Sequence, residues 1–503
     1  MAAPCSCHGC WLLLLLLLLL AAAGALGAEG ASLVIVQLDA ESLLPSAAAA
    51  SCHTPEQRPE AGTATRMPIV HQHGPCSPLA DDKHGKKAPS HTEILVADQR
   101  RVEYIHRRVS ETTGRVRRQK HSAPVVELRP GTPSSTRSSS SSLSSSATST
   151  NLPAKSGLSL NTGNYVVPIR LGTPAARFTV VFDTGSDTTW VQCQPCVAYC
   201  YQQKEPLFTP TKSATYANIS CTSSYCSDLD TRGCSGGHCL YAVQYGDGSY
   251  TVGFYAQDTL TLGYDTVKDF RFGCGEKNRG LFGKAAGLMG LGRGKTSVPV
   301  QAYDKYSGVF AYCIPATSSG TGFLDFGPGA PAAANARLTP MLVDNGPTFY
   351  YVGMTGIKVG GHLLSIPATV FSDAGALVDS GTVITRLPPS AYEPLRSAFA
   401  KGMEGLGYKT APAFSILDTC YDLTGYQGSI ALPAVSLVFQ GGACLDVDAS
   451  GILYVADVSQ ACLAFAANDD DTDMTIVGNT QQKTYSVLYD LGKKVVGFAP
   501  GAC

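Results

Sequence analysis

Two short turns of the same composition constrain this chain more than any other feature. The first lies in VVFDTGSDTTW at residues 180–190, where Asp183 follows a run of strand-forming residues. The second lies in ALVDSGTVITRLP at residues 376–388, where Asp379 follows another apolar strand, 196 residues further on. A single Asp-Thr-Gly is weak, because Asp and Gly are ordinary turn residues. Two copies in equivalent settings favour a duplicated lobe with one aspartate in each half.

The segments around these turns support a mostly β chain. Each turn is followed by an apolar stretch that ends in Gly, AGLMGLG at residues 286–292 and TIVGNT at residues 475–480. From residue 164 onward, short alternating runs are separated by Gly and Pro, which is typical of strands. At 503 residues the chain is also too long for one typical core. One helix is predicted in SAYEPLRSAFAKGM, with Ser390 as its N-cap.

The first residues read as a secretory signal peptide, residues 1–28. Nine consecutive leucines at residues 12–20 form its apolar region, and small residues follow near Gly27 and Ala28. The segment before the leucines carries no Lys or Arg. An uncleaved membrane anchor is therefore the alternative, because residues 11–26 approach spanning length.

Residues 29–155 are predicted to form a pro-segment. Residues 1–155 hold 16 Lys and Arg against 12 Asp and Glu, whereas residues 156–503 hold 22 against 27. A basic leader is expected to dock on an acidic body by charge. Its best helix candidate spans residues 98–119, with Val102, Ile105 and Val109 along one face. The serine-rich tract at residues 133–150 is predicted to be a flexible, cleavable linker, and the layout is that of a zymogen.

Cysteine usage agrees with secretion. Thirteen of the 18 cysteines lie in residues 193–503, and seven of those crowd into residues 193–239. Cys193 and Cys196 form a C-x-x-C, but no second pair follows at zinc-finger spacing. Disulfides are the better interpretation, with metal binding as the alternative. Because 13 is odd, one thiol is expected to remain free.

Together these motifs resemble the pepsin-type aspartic proteases over about residues 164–503. Details resemble the plant nepenthesin-like branch: the cysteine-dense insert after WVQCQPC, the YGDGS hairpin, the FGCG string, DSGT at the second turn and a carboxy-terminal Cys. The leader string VHQHGPCSPL and the body start SGLSLNTGNYVVPIRLGTP are similar to relatives of a chloroplast-nucleoid DNA-binding protease.

The resemblance implies a bilobal acid-protease fold with the active site in the cleft between two β lobes. The lobes would span residues 156–330, including the cysteine-rich insert at 193–239, and residues 331–503. Asp183 and Asp379 would be the catalytic pair of an endopeptidase that needs no metal and no cofactor. Two close carboxylates share a proton, so that one activates water as a base and the other protonates the substrate carbonyl. Acidic working conditions are therefore expected.

The resemblance also implies roles for the neighbouring residues. Thr184 and Ser380 would interlock the two turns, and Ser186 and Thr382 would bond the outer carboxylate oxygens. The other expected site residues are Gly185 and Gly381 in the turns, Tyr245 at the tip of a mobile flap, and Trp190, whose indole would bond that tyrosine.

Six disulfides are expected from the family pattern: Cys193–Cys196, Cys200–Cys274, Cys221–Cys239, Cys226–Cys234, Cys313–Cys503 and Cys420–Cys462. Cys444 would then be unpaired, and Cys76 has no evident partner. Asn218 begins a glycosylation sequon, which would be accessible in a secreted protein.

Two rival functions follow from the same residues. A catalytically inactive member of the fold would act as an inhibitor, lectin or storage protein, but such relatives typically lose one turn or the flap tyrosine. A nucleic-acid role would rest on the basic residues 100–120, which lie in the removable segment, and none is expected for the mature acidic body. The expected partners are polypeptide substrates and the chain's own pro-segment. We expect a monomer without a stable membrane anchor, secreted to the extracellular space, with the vacuole or plastid as alternatives.

Overall fold

Paired strands make up most of the architecture. The structure, a computed structural model, describes residues 33–39, 65–79, 89–113, 165–328, 335–343, 345–426 and 428–503. The predicted signal peptide at 1–28 and the serine-rich linker at 133–150 lie outside these residues. The strands up to residue 328 are β1 (Ile35–Asp39), β2 (Thr65–His71), β3 (Tyr165–Leu171), β4 (Ala176–Asp183), β5 (Trp190–Gln192), β6 (Ala217–Asn218), β7 (Arg232–Ser235), β8 (His238–Gln244), β9 (Tyr250–Leu262), β10 (Asp265–Arg279), β11 (Gly287–Gly290), β12 (Val309–Cys313) and β13 (Thr321–Phe326).

The second half repeats this strand-rich pattern. Its strands are β14 (Arg337–Leu342), β15 (Tyr350–Val352), β16 (Met354–Val359), β17 (His362–Leu363), β18 (Ala376–Val378), β19 (Thr385–Leu387), β20 (Lys409–Ala411), β21 (Cys420–Asp422), β22 (Ser429–Pro433), β23 (Val435–Phe439), β24 (Cys444–Asp446), β25 (Leu453–Asp457), β26 (Gln460–Leu463), β27 (Phe465–Ala467), β28 (Thr475–Val477), β29 (Ser486–Asp490) and β30 (Val495–Ala499). The α-helices of the described chain are α1 (His91–Thr113), α2 (Ser224–Ser227), α3 (Val298–Gln301), α4 (Tyr303–Tyr306), α5 (Ala368–Ala374), α6 (Pro389–Gly405) and α7 (Ala449–Ile452), and 3₁₀ turns lie at Pro210–Lys212 and Gln440–Gly442.

The two halves repeat one strand arrangement, which confirms the predicted duplication. In the first lobe, β11 runs parallel to β4 and places Gly290 opposite Asp183. In the second lobe, β28 runs parallel to β18 and places Val477 opposite Val378, next to Asp379. The apolar segments that echo each other in the sequence therefore pair with the two strands that carry the aspartates. After each turn the chain returns as β5 or β19, which pairs with the same echo strand.

One antiparallel sheet joins the two lobes beneath the cleft. Its order is β2, β13, β12, β29, β30 and β14. The rings of Phe310 on β12 and Tyr489 on β29 stack at 4.7 Å between centroids and are fully buried. Aromatic packing of this kind stabilises adjacent strands, so this sheet is a stable support shared by both lobes.

The leader contributes strands as well as the expected helix. β1 pairs with β22 over five residues, and β2 pairs with β13 over six. Neither strand was predicted. Helix α1 begins at His91 rather than at Asp98, because Ser90 and Glu93 form a capping box: the Glu93 amide donates to Ser90 Oγ at 3.2 Å and the Ser90 amide donates to the Glu93 carboxylate at 2.7 Å. Residues 114–119 of the predicted helix lie outside the described residues.

Four of the six expected disulfide pairings are wrong. Cys193 is bonded to Cys274 because β10 runs parallel beside β5, which brings the two Cα atoms to 5.3 Å. Cys196 instead closes a short loop with Cys200. The expected bonds Cys193–Cys196 and Cys200–Cys274 are thereby excluded.

The other two corrections exchange partners within the insert. The buried cysteines Cys226 and Cys239 are bonded to each other, and the more exposed Cys221 is bonded to Cys234. Cys234 and Cys239 are directly opposite on the β7–β8 hairpin, so sequence spacing does not distinguish the two alternatives. The expected bonds Cys221–Cys239 and Cys226–Cys234 are therefore wrong.

The remaining cysteines agree with expectation except for one. Cys313 is bonded to Cys503 and Cys420 to Cys462, as expected from the family pattern. Cys444 is the free thiol. Cys76, for which no partner was evident, is disulfide-bonded.

Helix α6 confirms a predicted helix but not its cap. Pro388 occupies the N-cap position and Pro389 begins the helix, so Ser390 lies inside the first turn. The Asp471 carboxylate supplies the missing acceptor, taking hydrogen bonds from the Ser390 amide at 2.8 Å and from its hydroxyl. The predicted N-cap at Ser390 is wrong because proline, with its fixed φ, already starts the helix.

Candidate active site

The two aspartates meet at the junction of the lobes. Asp183 ends β4, Asp379 follows β18 directly, and each residue is at most 1% exposed. Each carboxylate is held by its own turn. Asp183 accepts hydrogen bonds from the Gly185 amide at 3.0 Å and from Ser186 Oγ at 2.6 Å.

The second turn repeats this geometry around Asp379. The Gly381 amide donates to one oxygen of Asp379 at 3.2 Å, and Thr382 Oγ1 donates to the other at 2.5 Å. In both turns the amide therefore binds one carboxylate oxygen and the hydroxyl binds the other. The structure places Ser186 and Thr382 where the resemblance leads one to expect them.

Thr184 and Ser380 interlock the two turns across the lobe boundary. The Ser380 amide donates to Thr184 Oγ1 at 2.9 Å, and the Thr184 amide donates to Ser380 Oγ at 3.1 Å. Because both residues are buried, each hydroxyl satisfies an amide that would otherwise be unpaired. This reciprocal pair fixes the separation of the aspartates.

The turn glycines leave room for the carboxylate of the opposite lobe. A Cβ atom on Gly185 would lie 2.6 Å from Asp379 Oδ1, and one on Gly381 would lie 2.6 Å from Asp183 Oδ1. Contacts this short are not tolerated. Both turns therefore require Gly for the close approach of the two acids.

Arg101 of helix α1 bonds both aspartates at once. Its Nη2 donates to Asp183 Oδ1 at 2.7 Å and to Asp379 Oδ1 at 2.9 Å, and its Nε donates to Asp379 Oδ2 at 2.9 Å. The inner oxygens of the two acids thus lie within hydrogen-bond reach of one common atom. The guanidinium fills the position from which a water molecule could contact both carboxylates.

The electrostatics of this contact shift the second aspartate. Burial raises the pKa of Asp379, but the Arg101 guanidinium, the Thr382 hydroxyl and the Gly381 amide outweigh it, so that the pKa lies below its ordinary value of 3.8. The same ion pairs raise the pKa of Arg101. The site is therefore held in a charged, paired state.

Helix α1 is fixed by the apolar face that the sequence predicts. Val102, Ile105 and Val109 are at most 6% exposed and pack against a cluster that includes Leu377 on β18 and Ile476 on β28. Because these two strands flank Asp379, this packing positions Arg101 directly over the acids. Burial of these three branched side chains contributes to the attachment of the helix.

A buried ion pair anchors the helix one turn before Arg101. The Asp98 carboxylate accepts hydrogen bonds from Arg386 Nη2 at 2.9 Å and from the amides of Val383 at 2.6 Å and Ile384 at 3.3 Å. Both charged side chains are 0% exposed. Sequence reasoning missed Arg101, Asp98 and Arg386 as site residues, because nothing in their local sequence marks them.

The flap lies over the helix. Trp190 Nε1 donates to Tyr245 Oη at 2.8 Å, as expected, and the Tyr245 amide and Gly248 close the hairpin tip with backbone bonds to Ser249 and Tyr245. A Cβ on Gly246 would lie 2.5 Å from Tyr104 Cβ on the helix. Helix α1 therefore fills the space between the flap and the aspartates.

A further acid ties the first turn to the second lobe. Asp187 accepts hydrogen bonds from the Gly294 amide at 2.8 Å and from Thr348 Oγ1 at 2.8 Å. Burial raises its pKa to about 6, although these two bonds oppose the shift. Sequence reasoning also missed this residue, although it directly follows the first turn.

Other expectations concern features away from the acids. Asn218 lies exposed on β6, with its side chain bonded to Tyr216 Oη at 2.7 Å. Within the described ranges, no group of three or more His, Cys, Asp or Glu side chains is arranged to hold a metal ion. No helix in the described part of the chain is long and apolar enough to cross a membrane.

Comparison with known proteins gives matches in sequence and in structure. Residues 165–328 match the family described as xylanase inhibitor N-terminal, and residues 349–500 match xylanase inhibitor C-terminal. An aspartyl protease family protein of Arabidopsis thaliana is 44% identical over 93% of this chain and 92% of its own length. The aspartic proteinase nepenthesin-2 of Nepenthes gracilis is 35% identical over 68% of this chain and 78% of its own length.

The structural match is more distant. The crystal structure of conglutin gamma, a basic 7S globulin from lupine seeds, aligns with a TM-score of 0.53 at 22% identity, over 69% of this chain and 92% of that one. At this identity the match speaks for the fold alone. It agrees with the bilobal β architecture described above.

Proposed function

The chain belongs to the plant aspartyl protease family, and from this premise we propose that it is an endopeptidase made as a latent precursor that acid activates. It is an aspartic-type protease, as its relatives at 35–44% identity are. The precursor state, the acidic working range and secretion are the parts that we add. The observation that carries the proposal is the contact of Arg101 with both aspartates.

The hydrolytic chemistry follows from the geometry of the two turns. With Arg101 gone, a water molecule in its place would lie within reach of both inner oxygens. Two carboxylates this close share one proton, and the ionised one takes a proton from the water as it attacks the peptide carbonyl. The protonated one donates its proton to the carbonyl oxygen. Because one proton is shared between the two carboxylates, neither residue is assigned a fixed role.

The surrounding groups hold this pair in place. The amides and hydroxyls of both turns bind the carboxylates, and the bonds between Thr184 and Ser380 fix their separation. Tyr245, held by Trp190, would close over a bound peptide once helix α1 no longer occupies the cleft. Closure of a flap excludes water and orients the substrate.

Latency follows from occupation of the same space. Arg101 binds both acids and occupies the position proposed for the water, and the helix prevents a peptide from entering beneath the flap. The leader contains the helix and is joined to the body through the serine-rich tract at 133–150. Cleavage in that region would make release of the helix irreversible.

We expect acid to release the helix, and the direction of this pH dependence follows from the pKa of Asp379. That pKa is lowered in the docked state, so the Arg101 contact contributes docking free energy that is complete above the undocked pKa. The contribution is lost as the pH falls through the docked pKa, below 3.8. Asp98 has the opposite effect on docking. Burial raises its pKa in the docked state, so acid strengthens its contribution to the docking free energy. The trigger therefore lies at the catalytic pair.

The destination of the enzyme is proposed from the sequence. The leucine-rich start, the six disulfides between described residues and the disulfide-bonded Cys76 suit a secreted protein in an oxidising compartment, the extracellular space above all, with the vacuole or plastid as alternatives. The exposed sequon at Asn218 suits glycosylation on this route. We propose a monomer whose partners are polypeptide substrates and its own leader.

An inactive binding protein is the second candidate, suggested by the xylanase inhibitor description of the matching family. Both acids, their hydroxyl partners and the flap tyrosine are present and arranged together, which favours hydrolysis. A nucleic-acid role of the precursor has less support. Arg101 is engaged with the acids and Arg108 with Asp230, so two of its arginines already have carboxylate partners.

The test is hydrolysis of a denatured protein by the full-length chain after acidification. The variants Asp379→Ala and Asp183→Ala, and wild type with the aspartic protease inhibitor pepstatin, run beside it. We expect acid-dependent cleavage in the wild type alone. Wild-type chain that stays inert after its leader has been removed would exclude the enzyme and leave the binding role.

A further inference from the structure

Arg386 occupies an unusual position for a buried cation. It lies seven residues after Asp379, just as Trp190 lies seven residues after Asp183, and the two strands that hold them are equivalent. The first lobe therefore has an aromatic side chain where the second has a guanidinium. Both residues are 0% exposed in the precursor.

The partner of this guanidinium belongs to the leader. Asp98 on helix α1 accepts hydrogen bonds from Arg386 Nη2 at 2.9 Å and from the amides of Val383 and Ile384 at 2.6 and 3.3 Å. These three donors converge on one carboxylate and form a preformed binding site for a carboxylate group. When the helix leaves, this site remains with the body and its occupant departs.

The guanidinium also has donors that Asp98 does not use. Nε is buried and has no hydrogen-bond partner among the described residues, and Nη1 reaches the Ile384 carbonyl only at 3.3 Å. A buried cation without its carboxylate is costly, so an acceptor that enters the empty cleft is favoured there. A substrate carboxylate in place of Asp98 satisfies the charge of Arg386 and the donors that Asp98 leaves unpaired when the helix departs.

We propose that the activated enzyme uses Arg386 and the amides of Val383 and Ile384 as a subsite for an acidic substrate side chain, Asp or Glu. The inference rests on the proposed proteolytic function. Asp98 in the precursor then stands in for that side chain, as Arg101 stands in for the water.

The position of this subsite relative to the cut bond follows from the helix. Asp98 and Arg101 are three residues apart, which is about 4.5 Å along a helix at 1.5 Å per residue. An extended peptide advances about 3.3 Å per residue. The acidic side chain would therefore belong to a residue one or two positions from the scissile bond.

Other charged groups line the same part of the cleft. Asp469 and Asp473 belong to the body, whereas Glu103 and His106 leave with the helix. Burial lowers the pKa of Arg386, and Asp98 and Asp469 oppose this shift. Arginine stays protonated in proteins, so the guanidinium remains a cation after activation. Asp469 competes with the substrate carboxylate for Arg386. This competition limits the preference for a Glu over a Gln side chain to about 10- to 100-fold, or about 1.4–2.7 kcal/mol at 1.36 kcal/mol per tenfold.

The experiment compares matched peptides with the acid-activated full-length chain. Sequencing the products of a denatured protein digest at pH 5 identifies the position at which Asp and Glu are enriched. Peptides with Glu, Gln or Lys at that position then give kcat/KM values. We expect the kcat/KM of the Glu peptide to exceed that of the Gln peptide by about 10- to 100-fold at pH 5.

Substitutions assign the preference to Arg386. Arg386→Gln should reduce the Glu-to-Gln ratio to about one while the Gln peptide is still cleaved. Arg386→Lys should retain part of the preference. Arg396→Gln, at a partly exposed arginine paired with Glu393 on helix α6, is the matched control and should leave the ratio unchanged.

The outcomes separate the two proposals. Equal cleavage of the Glu and Gln peptides by the wild type, or an unchanged ratio in Arg386→Gln, overturns the subsite alone. Absence of hydrolysis of every peptide overturns the proposed function and the subsite with it. If Arg386→Gln does not fold, Arg386→Lys decides the matter, because a Glu-to-Gln ratio equal to that of the wild type overturns the subsite.

Discussion

Replacing Arg101 with Gln should open the active site of the precursor at a pH where the wild type stays closed. The arginine makes three hydrogen bonds to the two aspartates, and its side chain is 18% exposed. Removing one partner of a buried ion pair costs about 3–5 kcal/mol. At 1.36 kcal/mol per tenfold, docking of helix α1 would weaken by about a hundred- to a few thousand-fold.

Pepstatin affinity reports this change without requiring turnover. When a ligand binds only the open state, its apparent affinity is reduced by the open fraction. At pH 5, the uncleaved Arg101→Gln precursor should therefore bind pepstatin at least about a hundred-fold more tightly than the uncleaved wild type. The gain is limited only by the point at which the variant is fully open. The matched control is Arg100→Gln, an exposed neighbour on the same helix, which should behave as wild type. Equal pepstatin affinities of the Arg101→Gln and wild-type precursors would refute the assignment of latency to this contact.

Three further substitutions test the parts of the site separately. Tyr245→Phe removes the acceptor of the buried Trp190 indole and should lower kcat/KM and also, by about 1–3 kcal/mol, the free energy of unfolding, because an unpaired buried donor carries that cost. Thr184→Val leaves an amide of the opposite turn unpaired and should lower both activity and, by about 1–3 kcal/mol, the free energy of unfolding. Burial raises the pKa of Asp187 from 3.8 to about 6, so its contribution to stability is present below 3.8 and lost as the pH rises through about 6. As the pH rises between these values, the wild type should therefore lose stability relative to Asp187→Asn. The melting temperatures of both chains are measured against pH in the Asp379→Ala background, which prevents self-digestion. A constant difference in melting temperature between the two chains would contradict the shift.

The duplicated lobe was predictable because its signals are local. Each aspartate lies at a fixed distance from its own strand, turn and echo segment, so the sequence alone indicates two equivalent halves. The interlocking of Thr184 and Ser380 and the bond of Trp190 to Tyr245 follow once the two halves are superposed in the known fold.

The contacts of the leader were not predictable in the same way. Arg101 lies 82 residues from Asp183 and 278 from Asp379, and no periodicity links positions so far apart. The apolar face of the helix was visible, but it does not reveal which basic residue points at the acids. The Ser90 and Glu93 capping box was a readable signal for the start of the helix.

The disulfides show a second limit. Whether Cys274 meets Cys193 or Cys200 depends on which strand lies beside β10, and this is a question of sheet register. Spacing in the sequence contains no information on that register. Burial would have helped within the insert, since the two buried cysteines bond to each other.

We propose that one helix keeps the two aspartates inactive until acid releases it. Amide hydrogen exchange of the intact precursor, corrected for the intrinsic rate at each pH, tests this directly. We predict that helix His91–Thr113 is protected at neutral pH and loses protection below about pH 4, before any cleavage, while strand Ala176–Asp183 stays protected. A helix that remains as protected as the strand while hydrolysis begins would contradict the account.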